Sequence, residues 1–460
     1  MIKSEDYKKR RAELINSVGD GIILLCSNVL LARNYKGNPL PFRQDSTFLY
    51  YTGLEYPHMM ALLDADSGDE ILIGNEPGIE DAIWSGPQKS LGERADNAGF
   101  KQHYSYAWLT DYLNKARKRR VHFLPAYTAE RKLLLATILH ISPDQVEQAY
   151  SVPLIKSVIK QRSIKSTDEV NEIEMALDQV TGPMHIQCMK MAREGTYEHE
   201  LVAEMLRSAK AKDMEFAYNI ICSVRGETLH NEQHHNQLKS GQLVLIDAGV
   251  ESKMHYASDI TRTTPVNGKF TSQQKDIYAL VLKAQLEAIE MIKPGIAYKQ
   301  IHLHTAKIIA EGLIQLGIMK GNADEAVNAG AHALFFPHGL GHMIGLDVHD
   351  MEDLGEDYVG YGEETERSGQ FGLAYLRLVR KLNEGFVLTV EPGIYFIPAL
   401  IAKWRKEKHC KEYIEFSKLD QYTDFGGIRI EDNILVTESG YRILGNPIPK
   451  AVDEIENIQV

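Results

Sequence analysis

Short apolar runs separated by polar turns dominate the first third of the chain. The runs IILLC, TFLYYTG and MMALLDA are rich in residues that favour β-strands, and DADSGDEILIG (64–74) is typical of a turn that leads into a strand. From about residue 165 the apolar positions take a helical spacing, and Ser166 with Glu169 forms a capping-box pattern at its start. Start and stop signals predict helices over 167–192, 196–212, 272–293 and 298–317.

Strand patterns return between and after these helices, which predicts a mixed α/β second part. They are LVLIDAGV, SDITRTTPV, FVLTVEP and GGIRIEDNILVT. The change in texture places a domain boundary within 155–165, and so predicts a smaller N-terminal domain over 1–160 and a larger domain over 161–460. Two charged segments, 350–372 and 397–425, are predicted to be loops or insertions.

The composition is that of a soluble globular protein that binds neither nucleic acid nor a membrane. The 460 residues carry a formal net charge of −12, whereas binding to nucleic-acid phosphates needs a basic face. The longest apolar runs are too short to span a bilayer. None of the four cysteines forms a CxxC pair, and the charged N-terminus lacks the apolar core of a signal peptide. We therefore expect a cytoplasmic enzyme.

Two aspartates stand in apolar strand patterns, where an unpaired buried charge is costly. In GQLVLIDAG (241–249) strand alternation puts Asp247 on the face opposite Val244 and Ile246. In YASDITRTTPV (256–266) Asp259 lies among β-branched residues. The connecting segment has the length of a hairpin, so two antiparallel strands could bring Asp247 and Asp259 side by side. Two carboxylates at that distance repel unless a proton or a cation lies between them.

Two glutamates repeat this feature further along the chain. Glu391 stands at the end of the apolar strand in FVLTVEPGIY (386–395). In GGIRIEDNILV (426–436) alternation places Arg429, Glu431 and Asn433 on one face and three isoleucines on the other. The isoleucines are expected to face a core, so that Arg429 and Glu431 face a cleft.

Four carboxylates on four predicted strands admit two explanations. Each could belong to an independent salt bridge, although the sequence shows no evident partner cations. Alternatively, the four carboxylates and one or two histidines form a site for divalent ions, and the absence of cysteine from these segments argues against a structural zinc site of the cysteine type. Two divalent ions would balance the four charges and lower the pKa of a shared water, which becomes a nucleophile at neutral pH.

Three histidines lie in FFPHGLGHMIGLDVHD (335–350) and could be ligands, acid–base groups or core residues. The intervening glycines disfavour a regular helix. In an extended chain His338 and His342 share a face, whereas His349 follows seven residues after His342 and needs a turn or bulge to join them. We therefore predict three different roles rather than three equivalent ligands.

Taken in order, Asp247, Asp259, His342, Glu391 and Glu431 resemble the five-ligand set of the pita-bread metallopeptidases. The motifs LVLIDAG, SDITRT, HGLGH-x6-H, TVEPGIY and GGIRIEDN are similar to those of the Xaa-Pro branch, which contains prolidase and aminopeptidase P. FRQDSTFLYYTG (42–53) resembles the N-terminal domain of aminopeptidase P. The resemblance implies an α/β (α+β) fold, in which a C-terminal pita-bread domain has a curved antiparallel sheet backed by helices and the smaller N-terminal domain is mixed α/β.

The resemblance also implies a metal site with two divalent ions. Asp247 would bind one ion, His342 and Glu391 would hold the second, and Asp259 and Glu431 would bridge both. Mn²⁺ is the expected metal, with cobalt or zinc as alternatives.

Further residues match positions around the reaction in this family. Glu391 matches the proton shuttle, and His349 matches the histidine that stabilises the scissile carbonyl oxygen. The remaining matches are two substrate-contacting histidines and two residues beside the metal glutamates, namely His230, His338, Arg429 and Tyr395.

The implied reaction is hydrolysis of the bond between an N-terminal residue and proline, through a hydroxide that bridges the two ions. The segments around Arg377 and Arg405 resemble prolidase, in which an arginine grips the carboxylate of a dipeptide, although each arginine could equally be a surface residue. This pair favours dipeptides as substrates. The FRQDS motif favours the alternative, an Xaa-Pro aminopeptidase that acts on longer peptides, and a further alternative is a non-catalytic pita-bread binding protein.

Two positions depart from the family pattern. Asp259 follows Asp247 by twelve positions where eleven are expected, and Asn231 follows His230 where aminopeptidase P has an aromatic residue.

The expected partners are small peptides with proline at the second position, together with a second copy of the chain in a homodimer or higher homo-oligomer.

Overall fold

The computed structural model describes residues 2–362 and 365–458, and they form two compact units. The first unit extends to Arg162 and takes in Met351–Tyr358. The second comprises Ser163–Asp350 and the chain from Val359 onward. Among the described residues, no helix is both long enough and apolar enough to cross a lipid bilayer.

The first unit is built on a mixed five-stranded sheet in the order β4-β3-β2-β1-β5. Its strands are β1 (Ile22–Cys26), β2 (Met60–Asp64), β3 (Glu70–Ile73), β4 (Gln102–Tyr104) and β5 (Val121–His122). Its helices are α1 (Ser4–Val18), α2 (Ser46–Thr52), α3 (Ile79–Ser85), α4 (Leu91–Ala98), α5 (Tyr106–Lys115), α6 (Ala129–Leu139), α7 (Pro143–Ala149) and α8 (Val152–Ser163). Alternate apolar residues of the strands pack in one core with side chains of α5, α6 and α7.

The FRQDS motif stabilises the start of α2. The backbone N–H of Phe48 donates to Asp45 Oδ1 at 2.7 Å, and Arg131 Nη2 donates to Asp45 Oδ2 at 2.8 Å. The side-chain amide of Gln44 donates to the carbonyl of Leu54 at 2.9 Å. The carboxylate of Asp45 is thus a helix cap and half of a buried ion pair.

The helices of the second unit largely follow the sequence signals. They are α9 (Thr167–Ala176), α10 (Gly182–Met191), α11 (Glu198–Lys210), α12 (Ser272–Glu290), α13 (Tyr298–Gln315), α14 (Ala323–Asn328), α15 (Pro398–Glu407) and α16 (Val452–Ile458). Ser166 and Glu169 form the expected capping box. A π-helical turn over Leu177–Thr181 divides the predicted long helix into α9 and α10.

The strands of the second unit form small antiparallel sheets. They are β6 (Glu215–Phe216), β7 (Ile221–Ser223), β8 (Leu243–Asp247), β9 (Val250–Glu251), β10 (Thr261–Pro265), β11 (Val387–Val390), β12 (Gly393–Tyr395), β13 (Gly427–Arg429), β14 (Asp432–Val436) and β15 (Tyr441–Ile443). The pairings are β10-β8-β7, β11-β14-β15, β12-β13 and β6-β9. A backbone hydrogen bond of 3.1 Å from Glu431 to Thr261 links the chain before β14 to β10.

Three connecting segments contain more regular structure than a simple turn or loop. The segment between β8 and β10 is not a simple hairpin, because β9 leaves to pair with β6. The predicted insertion 397–425 contains α15, which begins at Pro398, a residue whose fixed φ suits the first turn of a helix. The predicted loop 350–372 contains short helical turns, and its positions 363 and 364 lie outside the described residues.

Candidate metal centre and active site

A cavity of about 630 Å³ in the second unit brings most of the predicted site residues together. The predicted residues on its wall are Asp247, Asp259, His342, Glu391, Glu431, His230, His338, His349, Arg377 and Arg429. Tyr395 lies just behind this wall, where it contacts His338 and Arg429. Arg405 does not line the cavity.

Strand alternation delivers the first two carboxylates to this cavity. Val244 and Ile246 of β8 pack into a core on one side of the strand, and Asp247 faces the cavity. Asp247 pairs with Thr261 across the β8–β10 ladder, and Asp259 lies two residues before Thr261. The two aspartates therefore lie side by side, although the connection between their strands is longer than a hairpin turn.

His342 presents a ring nitrogen to a group of carboxylates. Its Nδ1 lies 3.0 Å from the carbonyl oxygen of Met343, and because a carbonyl only accepts, Nδ1 carries the proton of the neutral ring. Its Nε2 lies 3.4 Å from Asp259 Oδ2 and 3.7 Å from Glu391 Oε1. Ligand atoms of Asp259, His342 and Glu431 all lie within 4.8 Å of one another.

The carboxylates crowd one another enough to oppose ionisation. Burial, followed by the charge of Asp247, raises the pKa of Asp259 well above its usual value. Burial and the charge of Glu431 raise the pKa of Glu391, and burial and the charge of Asp259 raise the pKa of Glu431. Without a cation, the cluster would have to bind protons in order to remain buried.

Tyr218 lines the cavity, although its sequence context did not single it out. Its hydroxyl lies 2.7 Å from Asp247 Oδ1 and also contacts Asp259 Oδ1. One hydroxyl proton cannot satisfy two ionised carboxylates, so this contact also calls for a proton or a cation between the aspartates. The signal in the sequence is weak, because a tyrosine in FAYNII reads as an ordinary strand-flanking residue.

A buried arginine forms an ion pair with Asp247. Arg429 Nη2 donates to Asp247 Oδ2 at 2.6 Å, and Nη1 donates to the hydroxyl of Tyr395 at 2.8 Å. The Tyr395 hydroxyl in turn donates to His338 Nε2 at 2.9 Å, because His338 Nδ1 uses its proton on the Gly339 carbonyl at 2.8 Å. Burial and the nearby Arg429 charge lower the pKa of His338 to about 3, so His338 is neutral.

Glu431 and Asn433 both reach from the β13–β14 segment toward β10, as their predicted common face requires. Thr261 Oγ1 donates to Glu431 Oε2 at 2.6 Å. The Asn433 side chain accepts from the backbone N–H of Asp259 at 3.0 Å and donates to its carbonyl at 2.6 Å. Thr261 is a second residue that sequence reasoning missed, because its partner lies 170 residues away.

The three histidines of FFPHGLGHMIGLDVHD have different surroundings. His342 faces the carboxylates, His338 contacts Tyr395, and the ring of His349 stands against that of His342 with centroids 4.2 Å apart. His230 lies on the cavity wall, where partial burial and the charge of Arg429 lower its pKa. His342 alone of the three belongs to the cluster of closely spaced ligand atoms found among the described residues.

The two candidate arginines lie in different places. Arg377 lines the cavity beside Tyr375. Arg405, on α15, is exposed and donates to Asp420 Oδ1 at 2.6 Å and to the Phe416 carbonyl at 2.8 Å. The structure therefore does not bring Arg405 to the site, because an acidic residue of its own insertion holds its guanidinium.

The donor set fits divalent metal ions. Glu431 Oε1 is buried and has no hydrogen-bond partner within residues 2–362 and 365–458, and the lone pair of His342 Nε2 points at carboxylates. A hard or borderline cation satisfies these donors at once, since carboxylate oxygen and imidazole nitrogen are its preferred ligands.

Two family models match the sequence of the chain. Residues 176–438 match the model of metallopeptidase family M24. The chain belongs to metallopeptidase family M24. Residues 7–123 match a second model, the aminopeptidase P N-terminal domain. The predicted family resemblance is thereby confirmed, and the chain is a metallo-exopeptidase whose family membership implies divalent metal ions.

Relatives and solved structures resemble the chain over nearly its whole length. It is 34% identical to a probable Xaa-Pro aminopeptidase of Fusarium vanettenii, over 99% of this chain and 96% of that one. It is 32% identical to the Xaa-Pro aminopeptidase of Haemophilus influenzae, over 99% and 97%. Zinc-substituted Escherichia coli aminopeptidase P in complex with product superposes with a TM-score of 0.81, at 28% identity over 100% and 98% of the two chains. These matches confirm the predicted fold class.

Proposed function

We propose that this metallo-exopeptidase is an Xaa-Pro aminopeptidase, which removes the N-terminal residue from peptides with proline at the second position. The observation that carries the proposal is the convergence of five ligand-type residues with three histidines on one cavity. The relatives named Xaa-Pro aminopeptidase support it, because they match both the M24 region and the N-terminal region.

Peptides longer than dipeptides are favoured as substrates. The sequence prediction of a dipeptidase depended on Arg377 and Arg405 as clamps for a free carboxylate. Arg405 pairs with Asp420 outside the cavity, which argues against Arg405 as a clamp. Arg377 lies on the cavity wall and is assigned a contact with the peptide beyond the scissile bond.

The ligand set is assigned to two divalent ions, with Mn²⁺ as the preferred metal and cobalt or zinc as substitutes. The residues that would hold them are Asp247, Asp259, His342, Glu391 and Glu431. Two ions bound there would lower the pKa of a water molecule and so would supply a nucleophile at neutral pH.

The chain's own residues orient the peptide and move the proton. His349 donates a hydrogen bond to the scissile carbonyl oxygen, where negative charge develops. Glu391 accepts a proton from the attacking water and returns it to the proline nitrogen, which carries no hydrogen before cleavage. His230 and His338 contact the substrate. Arg429 and Tyr395 keep Asp247 and His338 in place, as their hydrogen bonds support.

A comparison of chain lengths tests the substrate. The Mn²⁺-loaded enzyme is assayed on Ala-Pro and on Ala-Pro-Ala, with Ala-Ala-Ala as the control that lacks proline. We expect cleavage of the tripeptide with kcat/KM at least about 10-fold above that for the dipeptide. A higher kcat/KM for Ala-Pro than for Ala-Pro-Ala would instead support the dipeptidase prediction. No cleavage of either proline peptide, with metal content verified, would contradict the enzyme assignment.

Removal and return of the metal tests the ligand assignment. Chelation is expected to abolish activity and to lower the thermal unfolding midpoint, because ligand binding stabilises the folded state by mass action. Adding back Mn²⁺, Co²⁺ or Zn²⁺ separately, with elemental analysis after each, ranks the metals. Full activity in protein that is free of metal would refute the assignment.

A homo-oligomer is proposed from the surface of the first unit. In α3, Ile79, Ile83 and Trp84 are 76%, 68% and 85% exposed, and exposed apolar side chains grouped on one short helix commonly mark an interface. Light scattering should show at least a dimer, and Ile83→Lys with Trp84→Glu should dissociate it. The matched control is Leu133→Lys on α6, which changes a single apolar residue that is 57% exposed. A monomeric wild type would refute the proposal.

A further inference from the structure

We infer that a buried ion pair between Lys165 and Asp350 positions His349 in the active site. Lys165 Nζ lies 2.9 Å from Asp350 Oδ2, and each side chain is only 1% exposed. Lysine and aspartate are rarely buried to this degree, and neither residue lines the cavity. The inference rests on the proposed function, because it assumes that His349 acts on the substrate.

Asp350 closes the turn that carries His349. The backbone N–H of Asp350 donates to the carbonyl of Met343 at 3.0 Å, which joins the two ends of segment 343–350. A Cβ atom on Gly345 would lie 2.6 Å from Asp350 Oδ2, so the chain passes over the carboxylate with no room for a side chain. His349 immediately precedes Asp350, and the placement of this carboxylate therefore determines where the His349 backbone lies.

The backbone of Lys165 is hydrogen-bonded to the chain at the start of β11, which also contacts the turn. Its backbone N–H donates to the carbonyl of Gly385 at 2.8 Å, just before β11. The other side of the turn is held to β11 itself, because Ile344 donates to the carbonyl of Val387 at 3.1 Å. Lys165 and segment 343–350 are thus both hydrogen-bonded to residues 385–387, and the ion pair adds a second connection between them.

A positioning role explains why charges are buried here. Removing two charges from water is costly, and an apolar pair of similar volume often stabilises a protein as well. The ring of His349 stands 4.2 Å from that of His342, so a small shift of the turn moves a hydrogen-bond donor relative to the metal ligands. Oxyanion stabilisation depends steeply on such distances.

The test is Lys165→Met, which removes the charge and keeps an unbranched side chain. With Ala-Pro-Ala as substrate, we expect kcat to fall on the order of 10- to 100-fold while KM changes by less than about twofold. Metal content by elemental analysis should equal that of wild type. Ile309→Ala, a buried truncation on α13, is the control for lowered stability alone and should leave kcat unchanged.

A double-mutant cycle separates positioning from general structure. On the His349→Ala background, Lys165→Met should lower kcat little further, because the group that it positions is gone. The neutral pair Lys165→Met/Asp350→Asn provides a second variant if the single one folds poorly, and it should regain thermal stability but not kcat.

Three outcomes would overturn the inference. These are wild-type kcat in Lys165→Met, full recovery of kcat in the neutral pair, and additive losses on the His349→Ala background. Failure of the proposed function is distinguishable from these, because it would appear as an inactive wild type or as an undiminished His349→Ala variant.

Discussion

Asp45 in the first unit and Asp259 in the second are both buried aspartates, yet their carboxyl groups are shifted in opposite directions. Arg131 and the backbone N–H of Phe48 lower the pKa of Asp45 despite its burial. Burial and the charge of Asp247 raise the pKa of Asp259. A carboxylate satisfied by its own chain is a structural element, whereas a cluster with more carboxylates than cations indicates a cation from outside.

The largest expected effect comes from Asp259→Asn, which removes one charge from the unsatisfied cluster. Because Asp259 is assigned to both ions, kcat/KM for Ala-Pro-Ala should fall about 1,000-fold or more and the metal content should drop, while circular dichroism stays native. Asp276→Asn, an exposed position on α12, is the matched control. Wild-type activity and metal content in Asp259→Asn would show that the cluster does not need this ligand.

Arg131→Met removes the ion-pair partner of Asp45 and should lower stability without changing activity. Loss of the guanidinium leaves Asp45 buried without its ion-pair partner, which costs about 3–5 kcal/mol of the free energy of unfolding of the first unit. Urea unfolding followed by Trp108 fluorescence, in a Trp84→Phe/Trp404→Phe background, reports this unit. An unchanged midpoint in urea, or a loss of bound metal, would erase the contrast between the two sites.

Acid should weaken the first unit through Asp45. The folded-state pKa of this group is lowered from its ordinary value of 3.8, so its stabilisation is fully present above that value and is lost as the pH falls below it. Between pH 6 and pH 3, the wild type should therefore lose more unfolding free energy than Asp45→Asn does. Parallel curves for the two proteins, measured by the same fluorescence, would contradict this sign.

The smallest effect is expected from Arg405→Ala. Its ion pair with Asp420 is exposed, so kcat/KM for Ala-Pro-Ala should stay within about twofold of wild type. Arg377→Ala, at the cavity wall, should lower the same quantity about 10-fold through the loss of a charged hydrogen bond to the peptide. Equal effects of the two substitutions would show that Arg405 reaches the substrate after all.

Local rules account for a good part of the architecture. Capping signals predicted the starts of α9 and α12, and alternation predicted which face of β8 carries Asp247 and which face of the β13–β14 segment carries Glu431. The chain between strands was less predictable. The path of β9 and the helix α15 depend on partners elsewhere in the chain, which a local pattern does not contain.

The sequence by itself determined which residue types could form the site. Carboxylates in four apolar strand patterns, together with a glycine-rich run of histidines, identified the ligand candidates, because a charge in such a context needs a partner. Tertiary structure alone decided which partners they meet. It brought Tyr218 to the two aspartates, turned Arg405 toward Asp420 and paired Lys165 with Asp350, the residue that follows His349. Hydrogen bonds and ion pairs between distant segments depend on packing, which alternation along one strand cannot specify.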